Sequence, residues 1–87
     1  MFIIMAYDIE QTRVAKVLKT GRKYLHHRQN SLLDGELSPA VFKRLKQEIH
    51  KIIDDEYDLV CFYIMDSEKN VCKEGLGIFQ EEGVNFL

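Results

Sequence analysis

Residues 2–7 (FIIMAY) are apolar without a break, the pattern of a central strand covered on both faces. The run stops at Asp8. Thr12 suits an N-cap, and from Arg13 to about Leu25 the spacing becomes helical. Val14, Val17, Leu18, Gly21, Tyr24 and Leu25 fall on one arc of that helix, with Lys16, Lys19, Arg22 and Lys23 opposite. Residues 26–37 (HHRQNSLLDGEL) have strand character and an Asp34-Gly35 turn or bulge signal, and read equally as one bent strand or a tight pair. Ser38-Pro39 opens a second helix, with serine as cap and proline at the first helical position, where a missing N–H costs nothing. Val41, Phe42, Leu45, Ile49, Ile52 and Ile53 form its apolar stripe, and Asp54-Asp55-Glu56 ends it. Residues 58–65 (DLVCFYIM) make a second buried strand, residues 66–70 turn, and 71–79 (VCKEGLGIF) return. A short apolar end, Val84 to Leu87, follows Gly83.

The order strand, helix, strand region, helix, strand, strand predicts an α+β, ferredoxin-like fold: a split βαβ antiparallel sheet with two helices on one face. One such domain accounts for residues 1–87. Two helices on one side leave the other sheet face uncovered, although both main strands are apolar throughout. A second copy of the chain is the economical cover, so the expected state is a homodimer. The last four residues would add a strand to the neighbour's sheet edge. A chain of 87 residues buries only about 60–65% of its unfolded surface, so a shared interface adds useful core.

Composition narrows the setting. No apolar run reaches the length of a membrane span, and residues 1–7 lack the basic leader and small-residue cleavage site of a signal peptide. Cys61 and Cys72 show no zinc-type spacing, and a hairpin turning about Glu68 would set Cys61 opposite residue 75 rather than Cys72. Reduced thiols in a cytoplasmic protein follow as the expectation. The net charge of −2 hides a division: residues 1–53 hold ten Lys/Arg against five Asp/Glu, residues 54–87 two against nine. Such polarity suits a polyanion on one side and a basic partner on the other, although charge alone favours solvated helix faces with an acidic tail.

Asp8 is the sharpest candidate for chemistry. A carboxylate closing a buried strand is either a cap or turn residue before the first helix, or a metal ligand. One carboxylate is too little for Mg2+ or Mn2+, which take about six oxygens. A twofold dimer would supply a pair, with water and substrate phosphate completing the shell. Arg13, Lys16, Lys19, Arg22, Lys23 and Arg28 lie in a stretch, residues 13–28, without any acid, and suit phosphate contacts that do not read bases. Gln29, Asn30 and Ser31 read either as edge-strand hydrogen bonding or as further nucleic-acid contacts. His26 and His27 would point to opposite strand faces, which excludes a shared metal. No phosphate-binding loop, dinucleotide glycine pattern or nucleophile elbow is present.

Together, Tyr7-Asp8-Ile9, Arg13-Val14, Tyr24-Leu25, Arg28-Gln29-Asn30-Ser31, Asp34-Gly35-Glu36-Leu37, Phe62-Tyr63 and Asn85-Phe86-Leu87 resemble the small CRISPR-associated spacer-acquisition proteins, the Cas Two family. The similarity covers nearly the whole chain. It implies a ferredoxin-like homodimer whose two first-strand aspartates face each other, acting as the central DNA-binding dimer that bridges pairs of the Cas One integrase. It also implies, as the alternative, a Mg2+- or Mn2+-dependent endonuclease on RNA or duplex DNA, with Asp8 as its metal-holding catalytic residue and Arg13 as a basic position on the first helix. Two departures touch positions linked to nuclease action: Leu33 stands where members often have Phe, and His26-His27 where some have Asp-Arg.

Overall fold

A computed structural model describes residues 1–67 and 70–78. The elements run β1 (Phe2–Asp8), α1 (Gln11–Gly21), β2 (His26–Gln29), β3 (Leu32–Glu36), α2 (Pro39–His50), β4 (Leu59–Ser67) and β5 (Asn70–Gly77). Among the described residues the strands form one sheet in the order β2-β3-β1-β4-β5, with every neighbour antiparallel. Because β3 lies between β1 and β2, the β1–α1–β2 unit is split, and the ferredoxin-like α+β fold is as the element order predicts.

Strand alternation decides what each face does. Ile3, Met5 and Tyr7 of β1, Leu33 of β3, and Val60, Phe62 and Ile64 of β4 are buried in a single cluster with Val17 of α1 and Phe42, Leu45 and Ile49 of α2. The Phe42 and Phe62 rings meet edge to face at 5.2 Å. Both helices therefore cover the same face. On the other face Phe2, Ile4 and Ala6 stand beside Leu59, Cys61, Tyr63 and Met65, all half-buried with no layer of described residues above them. The continuous apolar runs reflect two kinds of face, one packed beneath the helices and one open.

Local chemistry explains the ends. Ser38 caps α2 as expected, its Oγ accepting from the Val41 N–H at 3.3 Å. That helix stops at His50, before the acidic run, and Ile52 and Ile53 pack on the core from the turns that follow. The first helix differs more. It starts at Gln11, one residue before the expected Thr12 cap, because the Glu10 carbonyl accepts from the N–H groups of Arg13 and Val14 at 2.9 and 3.0 Å. It ends at Gly21, not Leu25, since the N–H groups of Lys23 and Tyr24 turn to carbonyls three residues back, Thr20 and Gly21, at 3.1 and 3.0 Å.

Residues 26–37 form the tight pair, turning at Asn30-Ser31, with a register shift between His27 and Gln29. Asp34-Gly35 is not the turn: both residues pair with β1 inside β3. Gly35 is small because Leu25 crosses it, a Cβ there meeting the leucine side chain at 3.2 Å. Cys61 pairs with Gly75, as expected, and Cys72 with Ile64; both cysteines are free, and the expected turn residue Glu68 lies outside the described residues. Residues 84–87, with the strand expected of them, lie outside the described residues.

Gly77 has φ +81°, and a side chain there would collide with the Asp58 carbonyl oxygen, which accepts from Ile78 N–H at 2.8 Å. Gly77→Ala is expected to lower folding stability by at least about 1–2 kcal/mol, from the left-handed backbone alone. A thermal melt unchanged from the parent would contradict this reading.

Candidate nucleic-acid interface and the Asp8 face

Asp8 ends β1 opposite Leu59, exposed on the open face of the sheet. With Ala6, Tyr7, Leu59, Cys61 and Tyr63 it lines a shallow hollow of about 210 Å³. Burial raises the Cys61 thiol above its ordinary pKa, so it stays protonated beside that hollow. Asp8 is not the cap of α1. Glu10 occupies the cap position without a side-chain capping bond, and no described residue hydrogen-bonds the Asp8 carboxylate. The Asn30-Ser31 turn sits at the same end of β1, where the Asn30 carbonyl accepts from the Tyr7 hydroxyl and the Ser31 carbonyl from the Tyr7 N–H, both at 3.2 Å. Gln29, Asn30 and Ser31 are all exposed there.

The loop after Asp8 is held by a residue that periodicity did not single out. Asp58 is the one buried charged residue among those described, at 0% exposure. Its carboxylate accepts from Arg13 Nε at 2.6 Å and Nη2 at 3.1 Å, from the Glu10 N–H at 2.9 Å and from the Asp54 N–H at 2.8 Å. The Arg13 guanidinium first, then the two backbone N–H groups, hold this carboxyl well below the usual aspartate range despite its burial. Asp58 thus ties the β1–α1 connection to the α2–β4 connection. In sequence it stands as the first residue of the expected 58–65 strand, but β4 begins at Leu59 because the Asp58 side chain turns to these donors.

The basic row is consequently divided. Arg13 turns inward to Asp58, with Glu10 Oε1 3.2 Å away. Lys23 donates to Glu48 at 2.7 Å, and the Tyr24 hydroxyl donates to the same carboxylate. Lys23, then Tyr24, hold the Glu48 carboxyl below its ordinary pKa, with nearby Arg44 adding to the field. Arg28 donates to Asp34 at 2.8 Å. The acids missing from residues 13–28 are supplied from elsewhere in the chain. Lys16, Lys19 and Arg22 remain exposed, their side chains making no hydrogen bond or ion pair among the described residues.

Among the described residues no three His, Cys, Asp or Glu side chains gather in a metal-binding group. Asp8, exposed at the end of β1, would fit a divalent cation only as half of a pair.

A family model described as CRISPR associated protein Cas2 matches residues 1–71. The chain belongs to the Cas2 family. It is 50% identical over 82 residues to the CRISPR-associated endoribonuclease Cas2 of Thermotoga maritima, covering 94% of each chain. The protein of the same name from Dictyoglomus turgidum is 51% identical over 78 residues, 90% of each. A crystal structure of a Cas2 superposes with TM-score 0.74 at 37% identity, covering 80% of this chain and 79% of that one. The Streptococcus pyogenes Cas2 crystal structure gives 0.71 at 27% identity, covering 78% and 89%. Among the described residues of this family member, no helix is long and apolar enough to cross a membrane.

Proposed function

We propose that this chain is the structural, DNA-binding subunit of a CRISPR spacer-acquisition complex, working as a homodimer alongside the Cas One integrase. The observation that supports this best is the open sheet face. Its half-buried apolar side chains call for a cover, and a second copy related by a twofold axis supplies one whose pattern matches. On the opposite side, Lys16, Lys19 and Arg22 offer unpaired cations to the phosphates of duplex DNA. Asn30 and Ser31, at the Asp8 end, add neutral donors suited to backbone contact.

A second reading has its own support. The relatives are named endoribonucleases, and Asp8 stands exposed and unbonded on the face that would become the dimer interface. Paired Asp8 carboxylates would hold Mg2+ or Mn2+, which activates water for phosphodiester hydrolysis when bound. RNA is then the substrate to compare with duplex DNA.

Light scattering at micromolar concentration tests the assembly. The parent is expected at about twice 10.2 kDa, and Ile4→Glu, which places a charge in the middle of the open face, at the monomer mass. A monomeric parent, or an Ile4→Glu protein that dimerises unchanged, would remove the basis for a dimeric adaptor.

A further inference from the structure

We infer that α2 shares the nucleic-acid surface with α1, so that one phosphate-binding face spans both helices. This rests on the DNA-binding reading above and extends it to residues on a different element. Residues 11–23 and 39–53 contain nine Lys/Arg and a single acid, Glu48. That acid is taken up by Lys23 and Tyr24. Of the nine cations, Arg13 is paired with Asp58, Lys23 with Glu48 and Lys46 with Glu74. Lys43, Arg44 and Lys51 are exposed and, among the described residues, their side chains make no hydrogen bond or ion pair, as holds for Lys16, Lys19 and Arg22.

The clasp between the helices fixes how these groups are arranged. Glu48 faces α1, because Lys23 and Tyr24 reach it from the end of that helix. Arg44 is one turn before Glu48, and Lys51 follows it by three residues, so both lie on the same side of α2. Arg44 therefore flanks the seam where the two helices meet. A helix of 12 residues, the length of α2, spans about 18 Å, over which a duplex carries roughly ten phosphate charges.

Phosphate is the chemistry that fits this face. The exposed residues of α2 are Pro39, Ala40, Lys43, Arg44, Gln47 and His50, with Lys51 just beyond its end, and none is a large apolar or aromatic anchor. Protein interfaces are built around such anchors and carry few charges at their centre. A surface of unpaired Lys and Arg is what displaces counterions from a nucleic-acid backbone.

The test compares two triple variants of the full chain, Lys16→Gln/Lys19→Gln/Arg22→Gln on α1 and Lys43→Gln/Arg44→Gln/Lys51→Gln on α2. Each is titrated with a short duplex DNA of arbitrary sequence across a range of salt, with circular dichroism and sizing as controls for folding. These side chains bond nothing else described, so both variants are expected to fold. The α2 variant should bind at least tenfold more weakly at low salt, with its log–log salt slope reduced by about 2–3 per bound protomer. If the α1 variant shows these losses and the α2 variant matches the parent, the shared face is wrong and the DNA-binding reading stands. If neither variant changes affinity or slope, both are wrong. An α2 variant that binds DNA normally yet fails to assemble with the integrase would make this a protein-docking face and overturn the inference.

Discussion

Asp58→Ala is expected to destabilise the protein by about 3 kcal/mol, the low end of what breaking a buried ion pair costs. The low end applies because Arg13 keeps 24% of its side chain exposed, so water screens part of the attraction and re-solvates the freed guanidinium. The remaining loss comes from the N–H groups of Glu10 and Asp54, which lose their acceptor where two connections meet. For a domain of this size that shift corresponds to a fall in Tm on the order of 15 °C. Arg13→Ala should cost less, and the double variant less than the sum of the two, because both report on one network. A Tm within a few degrees of the parent for Asp58→Ala, or strict additivity with Arg13→Ala, would show that this clasp contributes little.

The same network sets an acid limit. The folded Asp58 carboxyl titrates well below the free aspartate value, which is about 3.9. Its contribution is therefore fully present above that value and is lost as pH falls through it toward the folded pKa. Urea melts across this acid range should show a steeper loss for the parent than for Asp58→Asn, which has no such carboxylate to protonate. Parallel curves would place the acid sensitivity elsewhere.

How much of this was legible in the sequence depended on the range of each interaction. Ser38-Pro39 announced α2 because a cap is settled within four residues. The runs at residues 2–7 and 58–65 marked the central strands, and the element order implied the open face. The end of α1 did not follow from periodicity. Tyr24 and Leu25 continue the apolar arc, but they leave the helix to reach Glu48 and Gly35, contacts made by distant elements. The basic row was visible as composition, whereas its division into paired and unpaired members was not. Glu48 is 25 residues from Lys23, and Asp58 is 45 from Arg13. Asp58 itself was hidden among neighbouring acids, its one local mark being its place at the head of the buried run 58–65. The metal-ligand idea for Asp8 came from its position at a strand end, and its exposure and unbonded carboxylate keep that idea open to test.

Asp8→Asn separates the two functions proposed for this face. The substitution keeps size and hydrogen-bonding capacity but removes the charge that a hard cation requires. A dimer loses both carboxylates at once, so any intrinsic Mg2+- or Mn2+-dependent cleavage of RNA or DNA should fall close to background. Folding should be unaffected, since the side chain is exposed and no described residue hydrogen-bonds it. Duplex binding should also persist, because the cations of the helix layer lie on the other side of the sheet. Spacer integration by the folded Asp8→Asn dimer together with its integrase is the decisive measurement. An adaptor supports integration at the parent's level without Asp8. Integration abolished by a mutant that folds, dimerises and binds duplex normally would contradict the structural role and return Asp8 to the centre of the chemistry.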